Sequence, residues 1–227
     1  MTNPEWYSGS DESGHVAATI EAVIQHMDAQ AADGEDITRL EELLELEHEV
    51  NWRSFIAGLI GTIHYDLESA DTALAVLEDA IASYRVFLDS FDDVLNVYCQ
   101  SCYTVGSILL EQERFAAAAT YFQRCLPYMH EVYDDVYVGH ILSSLELCFG
   151  RSNQPEAAAV FAEAAVFSRH GDCGALESLM VAYARLGDLK RASEVLHLIE
   201  ADCDEYEHLA RVRDFARRHL GESSEVN

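Results

Sequence analysis

Helical periodicity runs through this chain almost without a break, and that limits its fold more than any other feature. Apolar residues recur at i, i+3, i+4 and i+7 across the interior, the pattern of a helix with one buried stripe. The 227 residues include only three prolines, Pro4, Pro127 and Pro155, and almost nothing that reads as a strand. The spacing predicts helices over roughly 15–31, 36–51, 53–67, 70–88, 92–111, 115–128, 133–150, 155–169, 173–186, 189–201 and 204–220. The breaks carry turn chemistry: Asp33-Gly34, Gly150 to Asn153, Gly171-Asp172 and Gly187-Asp188. Pro155 suits the first turn of a helix, where its missing N–H costs nothing. The expectation is an all-α fold of about 11 helices.

Hydrophobic residues make up 49% of the chain, enough for a real core. No apolar run reaches the roughly 18 residues of a membrane span, and the first residues lack the basic start and apolar stretch of a secretory leader. The net charge of −27 argues against nucleic acid and against an anionic membrane, both of which need Lys and Arg. There are 17 Asp and 24 Glu against 13 Arg and a single lysine, Lys190. Acid added while lysine is removed points to a cytoplasm at high salt, where a Debye length of about 3 Å screens self-repulsion. The other reading is a GC-rich genome that favours Arg. Six cysteines, 99, 102, 125, 148, 173 and 203, are scattered through a chain with its own core and are expected to be reduced, small core residues.

An internal repeat emerges when the helices are taken in pairs. Residues 179–199, LMVAYARLGDLKRASEVLHLI, contain Tyr183, Gly187, Leu189, Ala192 and Leu196. Upstream, the same frame takes Gly106, Leu109, Phe115, Ala118, Phe122 and Cys125, then Gly61, His64, Ala70, Ala73, Leu77 and Ala80. A fourth copy takes Leu145, Cys148, Ala157, Phe161 and Ala164. The aligned alanines 73, 118, 157 and 192 stand 45, 39 and 35 residues apart. A small residue lets two helices cross closely, and a large neighbour fills the gap beside it. This pattern resembles the tetratricopeptide repeat over about residues 54–206. The resemblance implies antiparallel helical hairpins stacked as a right-handed solenoid, with four degenerate repeats.

Around the repeats, residues 1–13 and 221–227 read as loose tails, with Trp6 and Tyr7 docked if anything is. Residues 14–53 read as a helix pair without the motif, covering one end of the stack. Residues 207–220 read as a capping helix, with Glu205 and Glu207 near its start and Arg211, Arg213, Arg217 and Arg218 towards its end, as the helix dipole favours.

Chemistry has little support. Cys99 and Cys102 share a helix face, but no second ligand pair completes a zinc site, so buried thiols are expected. His130, His140, Asp134 and Asp135 flank one turn and are expected to be solvated. Asp89, Asp92 and Asp93, and Asp202, Asp204, Glu205 and Glu207, lack the calcium-loop pattern and read as caps and acidic surface. No nucleophile elbow, phosphate loop or H-E-x-x-H is present, so no catalytic residue, metal or cofactor is expected.

The resemblance implies instead a concave groove lined by the first helix of each repeat. Mapped here, it takes Phe55, Gly58, Thr62 and Tyr65; Gln100, Tyr103, Ser107 and Leu110; Leu142, Glu146 and Phe149; then Glu177 and Val181, with Arg185 nearby. The family's carboxylate clamp uses Lys and Asn, whereas Gly58, Thr62, Tyr103, Ser107 and Glu177 stand at those positions. The expected partner is therefore an apolar or basic protein segment rather than an acidic tail. The expected function is a non-catalytic cytoplasmic adaptor. The alternative is a homodimer formed through the apolar side of 204–220, namely Leu209, Val212, Phe215, Ala216 and Leu220.

Overall fold

The computed structural model describes residues 13–47, 50–84, 92–128, 135–168, 172–203 and 207–220. Trp6, Tyr7, Asp89, His130, Asp134, Asp204 and Glu205 lie outside the described residues, as do the side chains of Asp92, Asp93 and Asp135. Among the described residues there are eleven α-helices and no strand. They are α1 Ser13–Asp28, α2 Gly34–Leu46, α3 Val50–Asp66, α4 Ala70–Ser83, α5 Asp92–Glu111, α6 Phe115–Cys125, α7 Asp135–Arg151, α8 Pro155–Ser168, α9 Cys173–Leu186, α10 Leu189–Asp202 and α11 Leu209–His219. A short 3₁₀ turn, Leu126–Tyr128, follows α6 where Pro127 stands. The chain divides into two compact units, Met1–Ile108 and Leu109–Asn227.

In the first unit, α2 begins at a reciprocal cap. The Asp33 carboxylate accepts from the N–H groups of Glu35 and Asp36, and the Asp36 carboxylate accepts from the N–H of Asp33. Asp36 is buried, and it is satisfied there by that bond, by His26 Nδ1 of α1 at 3.0 Å and by Arg39 at 3.3 Å. The helix stops at Leu46, five residues before the predicted end at 51. Glu47 turns extended, and the Arg53 guanidinium of α3 donates to the carbonyls of Leu44 and Glu47, satisfying the exposed end. Ile20 and Val23 of α1, Leu40 and Leu43 of α2, and Phe55, Ile56 and Ile63 of α3 form one core. Two glycines set the helix spacing. A Cβ on Gly61 would stand 2.5 Å from Leu77 of α4, and one on Gly58 would stand 2.6 Å from Val97 of α5.

In the second unit, α6 packs on α7, α7 on α8, α8 on α9, α9 on α10 and α10 on α11, and α7 also meets α9. The core runs through Ala162, Leu179, Met180, Ala192, Leu196, Ile199, Val212 and Ala216. The last helix starts at Leu209, not 204. Its apolar side is covered within its own unit: Val212 and Ala216 are buried, and Leu209, Phe215 and Leu220 pack against the core. Arg211 of α11 grips Glu177 of α9 at 2.8 and 3.0 Å, and Arg213 bonds Glu200 of α10 at 3.1 Å. Arg217, Arg218 and His219 occupy its last turn, where the dipole favours cations.

The cysteine expectation fails at one pair. Cys173, opening α9, and Cys203, capping α10, form a disulfide with a Cα separation of 6.0 Å. The hairpin's open end brings together two residues 30 apart in sequence, which spacing alone cannot reveal. Cys99, Cys102, Cys125 and Cys148 are buried thiols.

One backbone feature recurs at every described helix-to-helix turn of a pair. Gln30, Glu68, Glu113 and Asn153 have φ between 54° and 59°, and Gly187 has φ of 77°. The turns at Gln30, Glu68, Glu113 and Gly187 are closed by the same crossing of backbone bonds. Glu68 N–H donates to the Tyr65 carbonyl and Ser69 N–H to His64, as Gly187 N–H does to Ala184 and Asp188 N–H to Tyr183. Four of the five left-handed positions carry a side chain, so the sequence shows the turn chemistry plainly only at Gly187.

These turns fix the repeat frame. Five residues after the turns at Glu68, Glu113, Asn153 and Gly187 stand Ala73, Ala118, Ala158 and Ala192, all buried, and nine after stand Leu77, Phe122, Ala162 and Leu196. The alignment read from sequence, with Ala157, Phe161 and Ala164 in the α7/α8 copy, is therefore shifted by one. Ala158, Ala162 and Ala165 are the buried residues, and Ala157, Phe161 and Ala164 are only half-buried.

Candidate functional site

The same turns place the residues of the first helix in each pair. Seven before the turn stand Gly61, Gly106, Glu146 and Met180. Ten, six and three before it stand Gly58, Thr62 and Tyr65; Tyr103, Ser107 and Leu110; Ser143, Leu147 and Gly150; and Glu177, Val181 and Ala184. The two glycine positions of the first copies are thus occupied in α7 by a carboxylate and in α9 by a flexible thioether.

Burial separates the residues expected in a groove. In the first unit, Phe55 is buried and meets Trp52 edge-on, with ring centroids 5.3 Å apart. Thr62 is buried and donates to the Gly58 carbonyl. Tyr65, Gln100, Tyr103 and Ser107 are half-buried. In the second unit, Leu142 and Glu146 are buried, and Leu110, Phe149, Glu177 and Val181 are half-buried. Arg185 is exposed. Leu142 and Glu146 sit one residue off the frame counted from the turns, whose positions in α7 are Ser143, Leu147 and Gly150, each half-buried. Phe149 stacks on Phe161 of α8 at 5.3 Å, and Glu177 is held by Arg211 of α11.

Sequence reasoning missed the neighbourhood of Gly150. A Cβ there would stand 2.7 Å from Arg185 Nη1, 3.6 Å from Glu146 Oε1 and 3.9 Å from Ala158 Cβ. The Arg185 guanidinium of α9 fills the space beside Gly150, with the Glu146 carboxyl next to it. Burial drives the Glu146 carboxyl up to about 7, against the pull of Arg185 and Arg151. Burial and the Glu146 charge together push the Cys148 thiol up to about 11, which keeps it protonated at neutral pH. The signal available in the sequence was a Glu in place of a small residue.

Other chemistry is not assembled. Among the described residues, no group of three or more His, Cys, Asp or Glu is placed to hold a metal ion. No helix among them is long and apolar enough to cross a membrane. A cavity of about 220 Å³ in the first unit is lined by Leu44, Arg53, Ser54, Ala57, Asp79, Ala80 and Ser83, and its one cation is engaged in closing α2.

No protein-family model and no curated protein matches the chain. Solved structures do. A fragment of MamA from Desulfovibrio magneticus RS-1, residue 41 to the end, superposes with a TM-score of 0.61 at 15% identity, covering 87% of this chain and 98% of that one. Kinesin light chain TPR-like repeats from Podosopora anserina give 0.61 at 12% identity, covering 87% and 99%. YrrB, described as a TPR protein with an unusual peptide-binding site, gives 0.61 at 16% identity, covering 88% and 89%. The fold is tetratricopeptide-repeat-like. At these identities the likeness speaks for the fold of the TPR-like chain alone.

Proposed function

We propose that this TPR-like chain is a non-catalytic adaptor that holds a segment of a partner protein along the first helices of its hairpins. The observation that carries this reading is that the same frame positions hold half-buried side chains in each unit: Tyr65, Tyr103 and Ser107 in the first, and Leu110, Leu147 and Val181 in the second. Half-buried tyrosines offer a large rigid surface at low entropic cost. The mix is apolar with hydroxyl groups, and together with a net charge of −27 on the chain it favours an apolar or basic segment over nucleic acid or an anionic membrane. The 13 arginines with one lysine support a cytoplasm at molar salt, where apolar contacts dominate because exposed ion pairs are screened. The homodimer reading is not favoured, since the apolar side of α11 is covered by its own unit.

The test is capture of partners from the host lysate in molar salt, comparing wild type with the Tyr65→Ala/Tyr103→Ala variant. The expected result is a protein retained by wild type and bound at least tenfold more weakly by a variant of unchanged helicity. Equal retention contradicts the assignment.

A further inference from the structure

We propose that the Cys173–Cys203 disulfide is a thiol–disulfide exchange site, opened in the folded chain by a dithiol and re-formed by a small-molecule disulfide, and that its state sets how firmly α11 is held. The proposal stands apart from the adaptor reading.

One fold treats the six cysteines in two ways. Cys99, Cys102, Cys125 and Cys148 are buried thiols on helices. Cys173 and Cys203 are bonded at the open end of the α9/α10 hairpin, where Cys173 is half-buried and Cys203 is 3% exposed. A reagent from solvent therefore meets Cys173 first, and the four buried thiols are shielded from scrambling the bond. The second unit has an apolar core of its own, running from Ala159 to Ala216. A single disulfide beside four free thiols in such a chain is unlike the dense framework of a small secreted domain, and it fits exchange chemistry better than a structural staple.

The bond's position gives it a local effect. α11 has two buried residues, Val212 and Ala216. Its ion pairs to other helices run to the same hairpin end: Arg211 to Glu177, four residues after Cys173, and Arg213 to Glu200, three before Cys203. Both arginines are exposed, and exposed pairs contribute little and are screened by salt. The disulfide fixes the two helix ends that carry these glutamates, and it does so independently of salt. Once it opens, the start of α9 and the end of α10 are free to part, and both pairs with α11 weaken together.

The exchange balances in thiols. One thiolate of the dithiol attacks Cys173 Sγ, forms a mixed disulfide and expels Cys203 as a thiolate, which takes up the proton that the reagent released. The second thiolate of the reagent then attacks the reagent's own sulfur in the mixed disulfide. That step closes a cyclic disulfide and expels the Cys173 thiolate, which takes up the second proton. Two electrons pass from the dithiol to the protein. In the reverse direction the Cys173 thiolate attacks a small disulfide and expels one thiol, and Cys203 then attacks Cys173 Sγ and expels the other.

The experiment is reduction of the full chain by dithiothreitol in molar KCl at pH 8, with thiols counted by maleimide labelling after acid quench and denaturation. The expected result is a rise from four thiols to six, at a rate proportional to dithiothreitol and changed less than about twofold by urea below the unfolding transition. Glutathione disulfide then returns the count to four, with the Cys173–Cys203 pair restored. In the reduced chain a pre-activated Arg-specific cysteine protease cuts α11 at least tenfold faster than in the oxidised chain, and the first cuts fall between Arg211 and Arg218. Reduction that tracks the unfolded fraction as urea rises, re-formation of other pairs, an unchanged cutting rate in α11, or first cuts at Arg114, Arg124 or Arg151 overturns the proposal. Cys173→Ser with Cys203→Ser is cut at the reduced rate with or without dithiothreitol. Should that variant not fold, the wild-type chain in its two redox states carries the same comparison.

Discussion

The α3/α4 and α7/α8 hairpins solve one packing problem from opposite sides. In α3, Gly61 has no side chain, and fully buried Leu77 of α4 reaches to within 2.5 Å of where one would begin. In α7/α8 the frame sets Glu146 where Gly61 stands and Ala162 where Leu77 stands. The large residue has moved from the second helix to the first, and it has become a carboxylate. A space that is merely filled in one hairpin therefore takes a buried ionisable group in the other. The same left-handed turn, at Glu68 and at Asn153, closes both. A degenerate repeat can keep its backbone and exchange its interior, and a functional group can enter by that exchange.

The exchange makes the two hairpins respond differently to substitution. The largest effect is expected at Leu77→Ala, where the opposing glycine cannot fill the cavity. A loss of about 3 kcal/mol is expected in chemical denaturation. A loss below about 1 kcal/mol would mean that Leu77 does not fill the Gly61 space.

Breaking the other end of the molecule comes next. The disulfide closes a 30-residue separation across α9 and α10, and Cys173→Ser with Cys203→Ser is expected to cost about 3 kcal/mol. Reducing agent should lower the wild-type melting temperature and leave that of the double variant unchanged.

Glu146 gives the pH-dependent term that α3/α4 lacks. The folded carboxyl keeps its proton up to about 7, and its ordinary value is 4.5. Between those values the folded chain binds the extra proton, so this group's contribution to stability falls as pH rises from 4.5 to about 7 and is level above. Arg185 and Arg151 oppose the shift without cancelling it. Glu146→Gln should therefore stabilise the chain by about 2 kcal/mol at pH 8, with the gain vanishing near pH 4. A gain that did not change with pH would remove burial as the cause.

The smallest effects test the shared turn. Glu68→Gly and Glu113→Gly should each stabilise by about 0.5–1 kcal/mol, and Gly187→Ala should cost a similar amount, because only glycine takes a positive φ without a Cβ clash. Thermal melts of the three single variants read the sign directly.

Most helices and the hairpin order were legible in the sequence, because apolar spacing and the caps at Asp33, Pro155 and Asp188 act locally. What was lost depended on contacts between helices. The end of α2 is set by Arg53 reaching back from α3, which no propensity within residues 36–51 reveals. The disulfide joins residues made neighbours by the hairpin. The alanine-rich run at 157–165 admits two registers by composition, and only the left-handed turn at Asn153 chooses between them. The sequence register takes Leu142 and Glu146 at the positions where counting from the Asn153 turn takes Ser143 and Leu147.

The most direct test of this shared frame is a double-mutant cycle on Glu146→Gly and Ala162→Leu, which rebuilds in α7/α8 the pair found in α3/α4. Leucine alone should overpack against Glu146, and glycine alone should leave a void, so the double variant should be more stable than the two effects predict by at least 1 kcal/mol. Additivity within about 0.5 kcal/mol would show that the two positions do not face each other, and the frame that places Gly150 among the lining residues would be wrong.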